Sequence, residues 1–335
     1  MELYELSGAA AAAAIRSGET TSEELVQACL ERIAALEGEI GAWEYLEPAL
    51  ALRQAREADR LRRSGRPTGP LHGVPVGIKD IFDTGDMPTT DGTVLHAGRT
   101  PGEDATAVAR LREAGAVIMG KTVTAELAFL HPGRTRNPHD PTRTPGGSSS
   151  GSAAAVAAAM VPLAIGTQTN GSVIRPAAYC GVCGYKPTRG LISRHRVLRL
   201  SRTLDQVGVF GRTPEDLALI AEAMSGCDEQ DPDMRPRARP ALVEGVAEAP
   251  PVPPRLAFVK TPAWNQADQD LQAAFAELTG FLGDRVEELD LDGLLTGVYD
   301  QHRAIMEAEM AWNLRRDYAR GAEAMSRELR GQIEA

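Results

Sequence analysis

Two serine-containing loops are the segments of this sequence whose residue types most suggest chemistry. The first is PGGSSSGS, Pro145 to Ser152, and the second is GTQTNGSVIRP, Gly166 to Pro176. Small residues let a backbone bend sharply and bring its amides close to a ligand. The first loop feeds a helix N-terminus and the second can form a nest of amides, and both arrangements favour negative charge. Such loops could therefore hold a negatively charged group.

A lysine at the end of an apolar stretch is the third candidate. Lys79 stands in GVPVGIKDIFD, and the five residues before it carry no polar side chain. Taken alone, its pairing with Asp80 is more typical of a solvated loop. Burial would instead lower the pKa of the lysine by up to several units, so that a neutral amine could act as a base near pH 7. Both interpretations remain open from this segment.

The residues around the two loops limit the alternative interpretations. Gly147 to Gly151 is a formal Gly-x-Ser-x-Gly match, but a proline-rich loop precedes it where a nucleophile elbow needs a strand. The Gly-Lys-Ser/Thr ending of a phosphate loop is missing. A flexible linker is disfavoured because a helix follows at once. The second loop, taken alone, is typical of an ordinary strand-to-helix turn.

Other groups with potential chemistry give weaker signals. Cys180 and Cys183 form CGVC without a second pair at zinc-site spacing, so we expect two small buried residues and leave their role open. No local signature marks a Ser-His-Asp triad. The basic run from Arg189 to Arg202 is interpreted as a solvated surface rather than a carboxylate clamp. The sequence predicts no metal site and no cofactor.

Composition narrows the classes of partner. The 335 residues carry a formal charge of -10, which argues against a general polyanion binder such as a nucleic-acid protein. No apolar run is long enough to cross a bilayer. Four cysteines in a chain of this size do not make a disulfide scaffold, so a reducing cytoplasm is the expected location. We expect no nucleic-acid and no membrane partner.

The elements that must position these residues alternate between helix and strand, which predicts an α/β layered fold. A capping box at Thr21 and Glu24 begins a helix. The other predicted helices are 48–63, a segment ending at Gly115, 152–160, 268–282 and an amphipathic stretch from 301 to 335. The predicted strands are 74–78, 116–119, 163–165 and 256–259, and residues 227–254 are expected to form a surface excursion.

Taken together and in order, these segments resemble the amidase signature family of serine hydrolases. The resemblance covers GVPVGIKD, GAVIMGKT, the run from TRNPHD through GTQTNGS, IRPAAYCGVCGYKPTRG and TLDQVGVFGRT, roughly Leu71 to Gly226. It implies a mixed central β-sheet covered by helices on both faces. It also implies one domain over residues 1–335, with N-terminal helices 1–65, a signature core 71–226 and a variable part 227–335. Because family enzymes are generally longer, that last part is expected to be C-terminally incomplete.

The resemblance also implies site residues. Lys79, Ser148 and Ser172 fall on the base, the bridging serine that follows a cis peptide bond, and the nucleophile of a Ser-Ser-Lys triad. The resemblance places the oxyanion hole at the backbone amides of Thr169, Asn170, Gly171 and Ser172. The residues it implies for the supporting loop are Gly147, Ser149, Gln168 and Arg175.

The second loop departs from the usual family pattern. Gln168 stands where many members have aspartate, and Asn170 replaces a usual glycine. Arg175 comes one place later than usual. These departures resemble a subgroup variant of the loop, and the three catalytic positions are unchanged.

The leading hypothesis is an amidohydrolase that cleaves a small-molecule carboxylic amide to an acid plus ammonia or an amine through an acyl-enzyme on Ser172. One alternative is the amidase subunit of a glutamine-dependent tRNA amidotransferase, which the departures at 168–175 make less favoured. Another is a truncated, non-catalytic family member that acts as a binding protein. The sequence leaves open which amide is cleaved and whether the chain forms a homodimer.

Overall fold

The computed structural model describes residues 2–291 and 293–334. Its α-helices are α1 Gly8–Ser17, α2 Ser22–Ile40, α3 Pro48–Arg63, α4 Thr106–Glu113, α5 Ser150–Ala157, α6 Ile174–Tyr179, α7 Pro214–Met224, α8 Leu242–Ala247, α9 Gln269–Leu282, α10 Val298–Gly321 and α11 Arg327–Glu334. Its strands are β1 Trp43–Leu46, β2 Pro75–Lys79, β3 Val117–Thr122, β4 Leu163–Gln168, β5 Cys183–Tyr185, β6 Gln206–Gly211, β7 Leu256–Val259 and β8 Val286–Leu289.

Local sequence signals account for some of the helix boundaries. The predicted capping box is present at the start of α2, where the Thr21 side chain accepts from the Glu24 amide and Glu24 accepts from the Thr21 amide. α3 has the predicted bounds. The predicted helix at 152–160 is displaced, because α5 starts at Ser150 and ends at Ala157. Ala159 takes a positive φ of 56°, which a continuing α-helix does not allow.

The central sheet explains how distant segments reach one edge of the molecule. Six strands lie in the order β1-β3-β2-β4-β6-β5. β2 is parallel to both β3 and β4, while β1, β5 and β6 join by antiparallel pairing. The carboxyl ends of β2 and β4 therefore share one edge, which brings Lys79 next to the loop that follows Gln168. This mixed sheet with helices packed against it confirms the predicted fold class.

Helix α5 is made of small residues because it lies directly against the sheet. All of its residues except Ala157 are buried. The Oγ of Ser152 donates to the carbonyl of Ile165 at 2.9 Å and lies 2.7 Å from the Oγ1 of Thr122. A Cβ on Gly151 would lie 2.3 Å from the carbonyl oxygen of Ala42. The serine, glycine and alanine content of this segment is thus a requirement of close packing.

The basic run from Arg189 to Arg202 is not wholly solvated, so that expectation is wrong for Arg194. This side chain is buried and forms ion pairs with Asp231 at 3.2 Å and Asp233 at 2.6 Å. Both carboxylates belong to the predicted surface excursion, and Asp231 is itself buried. A charged residue is rarely buried unless it is paired, and here the pairing anchors the start of the excursion.

The cysteine prediction is only half right. Cys180 is buried, and burial raises the pKa of its thiol to about 12. Cys183 is only half-buried, because it begins β5, an edge strand that pairs only with β6 among the described strands.

The chain divides into two compact units. One comprises the chain up to Ala247 and from Glu307 onward, and the other is Glu248–Met306. In the second unit β7 and β8 pair in parallel, and the rings of Phe258, Trp264 and Phe275 cluster with centroids 5.3 to 5.7 Å apart. The assignment of residues 1–335 to one domain stays a prediction.

The C-terminal amphipathic stretch forms two helices rather than one. α10 and α11 are separated by a short 3₁₀ turn at Ala322–Ala324. Across the described residues, none of the helices combines the length and apolar character needed to cross a membrane.

Gly151→Ala should destabilise the fold, because the added Cβ would meet backbone atoms of Ala42 and Val123 at 2.3 and 2.4 Å. We expect the free energy of unfolding to fall by roughly 1–3 kcal/mol or more, as for other overpacked cores. Urea denaturation measures this change. The control is Gly38→Ala on the exposed side of α2, where no atom lies within 4 Å and a gain of about 0.5–1 kcal/mol is expected. Equal stability of both variants would contradict the packing argument.

Candidate active site

Lys79 lies at the centre of the candidate site. It ends β2, its side chain is fully buried, and its Nζ donates to the Oγ of Ser148 at 2.8 Å and to the Oγ1 of Thr167 at 2.9 Å. Burial lowers the pKa of Lys79 to about 7, against the opposing effect of the negative charge on Asp205. The segment alone left a solvated loop and a buried amine both open, and the structure shows the buried one. A substantial fraction of this amine is neutral near pH 7.

The turn that carries Ser148 is fixed from two sides. The Gly147–Ser148 peptide bond is cis, as the family resemblance implies. The carbonyl of Ser148 accepts from the amide of Ala125 at 3.1 Å. The carbonyl of Gly147 accepts from Nε and Nη2 of Arg175 at 3.2 and 2.8 Å. Arg175 therefore joins helix α6 to the turn that holds the buried serine.

Ser149 attaches the same turn to strand β4. Its Oγ donates to the carbonyl of Thr167 at 3.2 Å and lies 3.3 Å from the amide of that residue. Gly166 is required beside it, since a Cβ there would lie 2.5 Å from the Oγ of Ser149. The turn from 147 to 149 and the end of β4 thus form one hydrogen-bonded unit around the Lys79 amine.

Gln168 organises the second loop. Its Oε1 accepts from the amides of Val173 and Ile174, both at 3.0 Å, and α6 begins at Ile174. Amides at the start of a helix have no partner within the helix, so this side chain satisfies two of them. An aspartate in this position would present the same kind of acceptor on a shorter side chain. The departure from the usual pattern therefore preserves an acceptor at the start of the helix.

Ser172 is buried and precedes this helix, between Gln168 and Arg175. Within the part of the chain that the structure describes, no hydrogen bond joins its Oγ to that of Ser148. Thr169 uses its Oγ1 to donate to Asp205 at 2.6 Å. The structure therefore brings Lys79 and Ser148 together, while the nucleophile and the oxyanion hole stay predictions.

Two polar residues near the site were missed from the sequence. Thr167 binds the Lys79 amine, and Asp205, buried just before β6, binds Thr169 in the loop that follows β4. Gln206 pairs with Gln168 across the antiparallel β4–β6 ladder, which places Asp205 beside Thr169. Asp205 is the one carboxylate in TLDQVGVFGRT, a stretch that was part of the family resemblance, and this was the signal that could have identified it.

A cleft of about 240 Å³ adjoins the Gly147–Ser148 turn. Gly147 and Arg175 form part of its wall, together with the apolar side chains of Phe129, Leu130 and Tyr179. Pockets of this mixed character bind small molecules by apolar contact and orient them through a few polar groups. The cleft is therefore a candidate site for the substrate.

A family model and curated relatives show which proteins this chain is similar to. The family model described as Amidase matches residues 24–321. A glutamyl-tRNA(Gln) amidotransferase subunit of Chloroflexus aurantiacus (strain J-10-fl) is 46% identical over 236 residues, which cover 69% of this chain and 48% of that protein. The corresponding protein of Thermobifida fusca is 41% identical over 324 residues, covering 94% and 65%. This chain therefore spans about half to two thirds of the length of these curated relatives.

A solved structure supports the fold. The native peptide amidase from Stenotrophomonas maltophilia is 33% identical, with a TM-score of 0.81, and the match covers 99% of this chain and 75% of that one.

Gln168→Ala should weaken the loop before α6, because the amides of Val173 and Ile174 lose their shared acceptor. We expect the free energy of unfolding to fall by about 1–2 kcal/mol, as for loss of a helix cap. Denaturation in urea measures the change. Gln27→Ala serves as control, since the exposed Gln27 amide donates to Glu31 on the same helix. A loss no larger than that of the control would contradict the capping role.

Proposed function

This chain belongs to the amidase family, and we propose that it hydrolyses carboxylic amides through an acyl-enzyme formed on Ser172. The observation that carries the proposal is the hydrogen bond between the buried Lys79 amine and the Ser148 hydroxyl at 2.8 Å. A buried amine with a pKa of about 7 is a suitable general base near neutral pH.

In the proposed first half-reaction, neutral Lys79 accepts the proton of Ser148 while Ser148 accepts the proton of Ser172. The Ser172 oxygen attacks the amide carbon, and the carbonyl oxygen becomes an oxyanion. The backbone amides of Thr169 to Ser172 hold this oxyanion. Preorganised donors of this kind are commonly the largest single contribution to catalysis of acyl transfer.

Departure of the amine completes the acylation. Ser148 donates a proton to the leaving nitrogen, because an amide anion is a very poor leaving group, and Lys79 returns a proton to Ser148. The C–N bond breaks and the acyl group stays on Ser172. Water then attacks the ester by the same relay in reverse and releases the acid.

The relatives support a second candidate for the amide. Both curated relatives are named as subunits of a glutamyl-tRNA(Gln) amidotransferase, whereas the solved structure is a peptide amidase. In the second candidate the amide is glutamine, and the released ammonia serves a transfer reaction together with partner subunits. The names favour it, and the mechanism at Ser172 would be the same.

Ser172→Ala should abolish ammonia release, because the acyl group then has no oxygen to which it can bond. We expect a loss of roughly 10³-fold or more, as for removal of other serine nucleophiles. The measurement is ammonia release from aliphatic, aryl and carbamoyl amides and from glutamine. Ser225→Ala is the control, since Ser225 is buried and its hydroxyl donates to the nearby carbonyl of Ala221.

The substrate panel separates the two candidates. If glutamine is the one amide of the panel that is hydrolysed, and added amidotransferase partner subunits increase its turnover, the transfer reaction is supported. Turnover of other amides without partners would support simple hydrolysis. Retention of full activity in Ser172→Ala would overturn the proposed nucleophile.

Activity should rise with pH through about 7, because the relay needs the neutral form of Lys79, whose pKa burial lowers to about 7. Below that pH the ammonium form cannot accept the Ser148 proton. The measurement is kcat/KM from about pH 5 to about pH 9, with circular dichroism as a check that the protein stays folded. Lys79→Met should lack this rise. A profile that stays flat through acid pH would contradict the role of Lys79 as base.

A further inference from the structure

Asp205 is a buried carboxylate that the relay does not use. Its Oδ1 accepts from the Oγ1 of Thr169 at 2.6 Å. Its Oδ2 accepts from the amides of Leu200 and Ser201, both at 2.9 Å. The carboxylate thus connects the segment before β6 to the loop that precedes Ser172.

Asp205 also lies close to the residues that surround the Lys79 amine. A small cavity is lined by Asp205 together with Thr167 and Thr169. Thr167 is the hydroxyl that accepts from Nζ of Lys79 at 2.9 Å. Asp205 and the threonine that binds the amine therefore line one cavity, in an interior where charges interact more strongly than in water.

We propose that Asp205 is a positioning residue for the proposed hydrolysis, which holds Thr169 in the oxyanion-hole loop and supplies the negative charge that faces Lys79. This inference rests on the function proposed above. It assigns two effects to one carboxylate: a hydrogen bond that orients the loop, and a negative charge that raises the basicity of the amine against the larger effect of burial.

The other charges in the vicinity leave Asp205 as the group that acts on Lys79. Arg194 also lines the cavity, and its guanidinium is paired with Asp231 and Asp233. Its Nη1 also donates to the backbone carbonyl of Asp205 at 3.2 Å, and its positive charge helps to keep the Asp205 carboxylate ionised.

Next along the chain, Asp80 forms a buried ion pair with Lys121 at 2.9 Å. Burial raises the pKa of Asp205, while the hydrogen bond from Thr169 and the amides of Ser201 and Leu200 oppose that rise. The negative charge of Asp205 in turn raises the pKa of Lys79 against the larger effect of burial.

Asp205→Asn tests the charge. An asparagine can still accept from the two amides through Oδ1 and donate to Thr169 through Nδ2, so the loop keeps its tether. Loss of the negative charge should lower the pKa of Lys79 and shift the acid limb of the kcat/KM profile to lower pH. The profile is recorded on the full chain with the best substrate of the amide panel.

The matched control is Asp216→Asn. Asp216 is also buried and also accepts backbone amides, those of Ala9, Arg212 and Thr213. The Asp216→Asn substitution should lower the free energy of unfolding without moving the acid limb of the pH profile, because Asp216 is not among the groups that act on Lys79. An acid limb that shifts equally in both variants, or in neither, would overturn the charge effect.

Thr169→Val tests the tether, since it removes the hydroxyl that bonds to Asp205, while the amides of Leu200 and Ser201 still hold the carboxylate. We expect kcat to fall by roughly 10- to 100-fold with little change in KM, while the acid limb stays where it is. An unchanged kcat would overturn the positioning role. If the wild-type protein shows no activity that depends on Ser172, the proposed function itself is refuted. Failure of the proposed function can therefore be distinguished from failure of the role of Asp205.

Discussion

The site depends on burying the Lys79 amine away from water with no carboxylate among the hydrogen-bond partners that the structure describes for it. Moving an ammonium group into the interior is costly, and the usual outcome is that the group becomes neutral. Here the amine of Lys79 is bonded to two hydroxyls, those of Ser148 and Thr167, which suit a neutral nitrogen. The central position of β2 in the sheet, with a parallel neighbour on each side, provides the required burial.

Much of this arrangement could be predicted from short stretches of sequence. The capping box at Thr21 and the apolar run before Lys79 are local signals, and both correspond to what the structure shows. The fold class and the cis peptide bond before Ser148 followed from the resemblance of long motifs. The end of α5 was misplaced because nothing in an alanine-rich run signals the positive φ of Ala159.

Contacts between distant segments could not be predicted. Arg194 was expected in solvent, but its carboxylate partners come 37 and 39 residues later, and only the fold brings them together. Asp205 is separated from Thr169 by 36 residues and reaches it through the register of β4 with β6. Charge and burial of single residues depend on such pairings, whereas helix and strand formation depends mainly on neighbours.

The parallel central strands give the two ends of the molecule different tolerance to alteration. Lys79 and the loop after Gln168 lie at the carboxyl ends, so the connection that leads into β2 approaches from the opposite end. Gly65 lies in that connection, and no atom is within 4 Å of the position its Cβ would take. A tag or a surface linker placed there would leave the edge that carries Lys79 and Ser148 unobstructed, which makes this connection the natural point for immobilising the protein.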